Sequence, residues 1–220
     1  MAKLSPPRES FNAWSHFVGA VIAAVFLFLL IQASAQDPLG HQVAFWVYGI
    51  SVILMFFSSY LYHSIRGAAN IIVQFRRIDH FMIYTVIAGT YTPICAIPLE
   101  GGWQLGMLTG IWVFALAGIF KKIFWLNAPR WFSTVIYLFM GWVAVLIFPT
   151  LWEVLPKTFS YWIAAGGVFY TIGAVIYGIK KPNPIPGRFG SHEIWHLFVM
   201  AGAFCHLWAI YYYLPGFNLS

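Results

Sequence analysis

The sequence predicts an all-α membrane protein, a bundle of seven transmembrane helices that forms one domain over residues 1–220. Three observations carry that reading. Hydrophobic residues make up 61% of the chain and charged residues 8%, against roughly 25% charged in soluble domains, so the chain lacks the polar surface to face water. Its apolar residues fall in long continuous runs, each able to cross a hydrocarbon layer of about 30 Å as a helix. Nearly all its cations fall on alternate connections. A membrane barrel is excluded because its strands alternate lumen-facing polar with lipid-facing apolar residues.

The runs lie at about 15–35, 43–64, 78–98, 104–120, 131–148, 159–179 and 192–214. Turn residues separate them: Asp37-Pro38-Leu39-Gly40, Glu100-Gly101-Gly102, Asn127-Ala128-Pro129 and the Pro182–Gly187 stretch. The fourth run is the shortest and is rich in glycine. Aromatic residues, 20% of the chain, cluster toward run ends, where amphipathic rings sit among headgroups. Lys3 and Arg8 ahead of an apolar run ending at Ala33-Ser34-Ala35 imitate a secretory signal. That run exceeds a usual signal core, so it reads as the first span, retained. No internal repeat or low-complexity tail is present. Cys95 and Cys205 both fall within apolar runs and read as unpaired buried thiols.

Charge sets the orientation. With seven spans, every Lys and Arg except Lys157 lies on one side, in the N-terminal tail and the second, fourth and sixth connections. The positive-inside rule makes that side cytoplasmic, with the N-terminus inside and the C-terminus outside. The net charge of +6 is therefore read as a membrane-topology signal. No basic run is long enough for a nucleic-acid surface. A chain built this way suits a bacterial cytoplasmic membrane.

Topology turns scattered polar residues into a layer. Ser59 and His63 lie near the cytoplasmic end of the second span, Asp79 and His80 at the start of the third, and His192 and His196 at the start of the seventh. Ser59/His63 and His192/His196 are i, i+4 pairs, so each pair shares a helix face. Three imidazoles with an open fourth position form a catalytic zinc site, in which the ion activates water near neutral pH. Asp79 suits the role of general base or partner to that water. An ionisable group in a membrane is costly without a partner or a wet cavity.

Other residues have plainer readings. His41, His16 and His80 read as helix-end histidines that snorkel or bond a carbonyl. His206 lies roughly 15 Å beyond His196 at 1.5 Å per residue, out of reach of the layer, and reads as a hydrogen-bonded core histidine. His192-Glu193-Ile194-Trp195-His196 also matches the H-E-x-x-H pattern of zinc proteases, with Glu193 as general base. That pattern is short, and its third ligand would have to come from another span.

Taken together, Glu9-x-x-Asn12-x-x-Ser15-His16-x-x-Gly19, Ser59-x-x-x-His63, Arg77-Ile78-Asp79-His80, Gly89-Thr90-Tyr91-Thr92-Pro93 and His192-x-x-x-His196 resemble the bacterial hemolysin III family. That family lies within the superfamily of progestin and adiponectin (adipoQ) receptors, related to alkaline ceramidases. The resemblance implies seven spans with the N-terminus inside and a zinc ion held by His63, His192 and His196. It also implies contact between Asp79 and the zinc-bound water, with Ser59 in the same pocket. In the receptor and ceramidase branches such a site is linked to hydrolysis of ceramide-like amides, whereas some bacterial members carry a pore-forming or lytic attribution, and others look tied to lipid homeostasis. No extended soluble N-terminal domain of the animal receptor type is expected.

The leading expectation is a Zn2+-dependent hydrolase of lipid amides or esters, with Asp79 and Ser59 catalytic and a ceramide-like or fatty-acyl membrane lipid as substrate. Two alternatives stand beside it. One is a non-enzymatic sensor in which zinc staples helices together, which predicts a fourth protein ligand. The other is a pore, which predicts a polar lining across the whole membrane.

Overall fold

A backbone in hydrocarbon must satisfy its own amides, and helices do so segment by segment. In the computed structural model, which describes residues 7–218, the elements are helices throughout, with no strand among the described residues. They are α1 (Ser10–Ala33), α2 (Leu39–Ser64), α3 (Ala69–Ala96), α4 (Gly101–Phe124), α5 (Arg130–Trp142), a 3-10 turn (Val143–Leu146), α6 (Phe148–Val154), α7 (Lys157–Ile179) and α8 (Ser191–Tyr213). Pro38, Pro129 and Pro156 stand immediately before α2, α5 and α7, with φ of -52°, -49° and -53°. Their rings fix that angle and start each helix without forfeiting an internal amide bond.

Five of these helices are long and apolar enough to cross a membrane, or six if α5, the 3-10 turn and α6 form one bent span. The expected seventh, α3, has the length, 28 residues. It lacks the apolarity, because Arg76, Arg77, Asp79 and His80 sit within it. Phe28, Leu105 and Phe124 are 63%, 70% and 84% exposed, a surface suited to lipid rather than water.

The expected boundaries shift in three places. α3 begins at Ala69 rather than near residue 78, so Asp79 and His80 lie about three turns inside the helix. The fourth run, read as short, is a 24-residue helix whose last turn contains Lys121 and Lys122. The expected span 131–148 is broken instead, α5 and α6 meeting at 47°. Where α5 unwinds, the Tyr91 hydroxyl lies 2.8 Å from the carbonyls of both Met140 and Gly141. That contact supplies the hydrogen bonding the backbone loses in an apolar setting.

Small residues set the helix spacing, as they do where helices approach in lipid. A side chain at Gly19 of α1 would bring its first carbon within 2.8 Å of the Phe56 ring of α2, and one at Gly202 of α8 within 2.9 Å of Tyr170 of α7. One end of the bundle gathers the start of α1, the end of α2 and the start of α8. There Arg8 donates to the Tyr62 carbonyl at 3.1 Å and the Glu9 amide to the His63 carbonyl at 3.0 Å. At the opposite ends of α1 and α8, the Asp37 carboxylate accepts the Gly216 amide at 3.0 and 3.1 Å.

Candidate metal centre

The C-terminal turn of α2 delivers His63, and the first turns of α8 deliver His192 and His196 one above the other. Their ring centres form a near-equilateral triangle, 5.2 Å for His63–His192, 4.9 Å for His63–His196 and 4.9 Å for His192–His196. One nitrogen from each lies within 4.8 Å of the others, so these three residues can hold a metal ion. His63 and His196 are buried and His192 is half-buried. The i, i+4 spacing has done what the sequence requires of it.

A carboxylate absent from the expected site completes the cradle. Glu9 Oε2 lies 2.7 Å from His63 Nδ1. An ionised carboxylate only accepts, so Nδ1 carries the proton and Nε2 keeps its lone pair for the cluster. Carboxylates fix metal-binding imidazoles in this way. The buried Asn12 amide donates to Glu9 Oε2 at 3.2 Å and to Glu193 Oε1 at 3.0 Å. The hydrogen bond from His63, helped by that from Asn12, holds the Glu9 carboxyl down at about 2 despite partial burial. The sequence motif contained Glu9 and Asn12, but both precede or open the first apolar run, where periodicity assigns no partner.

Glu193 proves to be part of this clasp. Its Oε2 accepts the Gly190 amide at 2.8 Å, capping the start of α8, while Oε1 takes Asn12. Its side chain is outside the cavity wall. The protease-like pattern therefore contributes two histidines and a helix cap. His16 stacks on His196 with ring centres 3.8 Å apart. It packs against the cluster rather than snorkelling. His206 donates Nε2–H to the Ile163 carbonyl at 3.2 Å, a core histidine as expected. Cys95 and Cys205 are buried free thiols, also as expected.

Below the imidazoles opens a cavity of about 800 Å³. Ser59 and Asp79 stand in its wall with the three histidines. His80 lines it too. Away from this polar end the wall is largely apolar, with Ile83, Val86 and Ile87 of α3 facing Leu138 of α5 and Val168 of α7. The site thus joins three histidines able to hold a metal ion, a carboxylate and a hydroxyl to a largely apolar chamber.

The chain is similar to known proteins over nearly its whole length. A family model described as "Haemolysin-III related" matches residues 4–207. Hemolysin-3 of Bacillus cereus is 37% identical over 215 residues, covering 94% of this chain and 93% of that protein. The Hemolysin-3 homolog of Bacillus subtilis is 34% identical over 208 residues, covering 94% of each. The human monocyte to macrophage differentiation factor is 27% identical over 209 residues, 92% of this chain and 83% of that protein, a weaker likeness that reaches the progestin and adipoQ receptors. With a whole-chain family match and bacterial relatives above 30% identity, this chain belongs to the haemolysin-III family of multi-pass membrane proteins.

Proposed function

We propose that the protein is a zinc-dependent hydrolase of lipid amides or esters. The observation that carries this reading is the placing of three convergent imidazoles, Asp79 and Ser59 at the polar end of a largely apolar cavity. The cavity volume lies within the range of small-molecule sites, about 300–1,000 Å³. The acyl chain occupies the apolar chamber and the carbonyl linkage rests among the polar groups.

His63, His192 and His196 are the residues that would hold zinc, with Glu9 steadying the first. Zinc bound there supplies a Lewis acid that activates water near neutral pH and polarises a carbonyl. Asp79 accepts the proton of the attacking water and returns it to the leaving amine or alkoxide. Ser59, in the same cavity wall as Asp79, donates toward the carbonyl oxygen. The net step adds water across one C–N or C–O bond and releases a fatty acid. Three ligands rather than four among the described residues favour this reading over a zinc staple, since closed structural sites use four.

In the membrane, α3 and the bent α5–α6 unit complete seven spans. The basic ends face the cytoplasm of a bacterial cell, with the N-terminus inside and the C-terminus outside. Hydrolysis then takes place at the inner leaflet.

The test pairs zinc analysis with turnover on a panel of ceramides and acyl lipids. Asp79→Asn is expected to keep zinc and lose turnover, whereas His63→Ala loses both. Unchanged turnover in Asp79→Asn on every substrate cleaved by the wild type would remove the carboxylate from the mechanism.

A further inference from the structure

The same cavity has a second polar wall, on α3, α4 and α5. Lys122, in the last turn of α4, is only 1% exposed. Its ammonium donates to Ser133 Oγ at 3.0 Å. Arg76 of α3 is near enough to act on Lys122 electrostatically, and both line the cavity with Ser133 and Thr134 of α5. Among the described residues no carboxylate pairs with Lys122 or Arg76; the ion pairs present all involve Glu9.

The plain reading of such residues is a cytoplasmic lysine that snorkels and an arginine that reaches headgroups. Lys122 does not snorkel, since its side chain is covered. A buried ammonium beside a second cation is costly without an opposite charge. Asp79 lies one helical turn from Arg76 on α3, but no ion pair joins the two among the described residues. The Ser133 oxygen is already taken by Lys122 as acceptor, which leaves its O–H to donate. Two cations and two hydroxyls beside an apolar chamber form a receptor for a phosphate that carries hydrocarbon.

We propose that the Lys122–Arg76–Ser133 wall binds the phosphate of an anionic phospholipid headgroup, with the acyl chain in the apolar part of the cavity. This rests on the reading of the cavity as a lipid site and narrows its occupant to a phospholipid of net negative charge, whose phosphate has no cation of its own, rather than a net-neutral lipid. The headgroup anchors on α3, α4 and α5, and the acyl linkage lies toward the histidines of α2 and α8.

The experiment measures binding to the full chain in detergent, by ligand-induced thermal stabilisation. The probes are dihexanoylphosphatidylglycerol, dihexanoylphosphatidylcholine and inorganic phosphate at matched ionic strength. The phosphatidylglycerol is expected to bind at least about tenfold tighter than either of the others. Lys122→Gln and Arg76→Gln each abolish that preference with metal content unchanged, and Lys122→Arg retains it. Equal binding of the two lipids, an undiminished preference in both glutamine variants, or inorganic phosphate binding as tightly as phosphatidylglycerol each overturns the proposal. The readout is independent of turnover. A headgroup preference in zinc-loaded protein that cleaves no lipid of the panel leaves this site standing and removes the hydrolase. Hydrolysis without headgroup preference does the reverse.

Discussion

The α1–α2–α8 corner and the α5–α6 edge are made of similarly apolar sequence yet behave as opposites. At the corner, helices touch through Gly19 and Phe56, and polar side chains close on one another through Glu9, Asn12 and Glu193. At the edge the helix breaks at Val143–Leu146 and turns by 47°. There Trp142 reaches across to Thr171 of α7 at 3.1 Å, and both residues border the cavity. The corner fixes three rings to within a bond length or two of a common point. The edge leaves room for something the size of a lipid chain. A site for a hydrophobic substrate needs both, since its chemistry demands fixed groups and its cargo demands space.

The contrast can be broken most severely at the corner. His63→Ala removes one ligand of three and is expected to lower bound zinc in purified protein to less than about a tenth of the wild-type content, read by metal analysis. Glu9→Gln leaves all three imidazoles but loosens the orientation of one; metal affinity is expected to fall about 10–100-fold in a chelator competition. That variant also carries a pH signature. A carboxyl held at about 2 against an ordinary 4.5 contributes stability that is complete above 4.5 and fades as the pH falls through 2. The wild-type advantage over Glu9→Gln in thermal unfolding should therefore be constant above about pH 5 and shrink steadily below pH 4.5. Loss of zinc on acidification should come at higher pH, because the imidazoles must be deprotonated to bind it.

Smaller effects separate packing from chemistry. Gly19→Leu drives a side chain into the Phe56 ring and should cost about 2–3 kcal/mol in unfolding free energy, a corner effect that also displaces His16 and disturbs zinc. Tyr91→Phe removes the hydroxyl that bonds the Met140 and Gly141 carbonyls at the α5 break and should cost about 1–2 kcal/mol, while zinc content stays at the wild-type level. If Tyr91→Phe releases metal as readily as Glu9→Gln, the two regions are not separable in the way the packing implies.

What the sequence disclosed follows the same division. His63, His192 and His196 were legible because helical spacing and charge sidedness together specify both face and depth. Asp79 and Ser59 followed from the same logic, and the cavity wall contains both. Glu9 was not legible as a partner of His63, since the two are 54 positions apart and Glu9 lies outside any periodic run. The break after Trp142 was hidden because an apolar stretch reads the same whether straight or bent; only the partner hydroxyl of Tyr91, on another helix, makes the bend tolerable. Lys122 was counted as a loop cation, and its place in the cavity wall depended on α4 continuing past residue 120. Long-range pairings of polar groups are what a hydrophobicity pattern cannot encode.

The clasp between Asn12 and Glu193 joins residues 181 positions apart, and the histidine triad needs both α2 and α8. During synthesis the first helices can enter the bilayer and pair long before the last one leaves the ribosome. A metal ion bound by that triad could therefore be captured only once α8 inserts, which would make metal loading a terminal step of biogenesis. A chain truncated anywhere before α8 would lack two of the three imidazoles able to hold a metal ion.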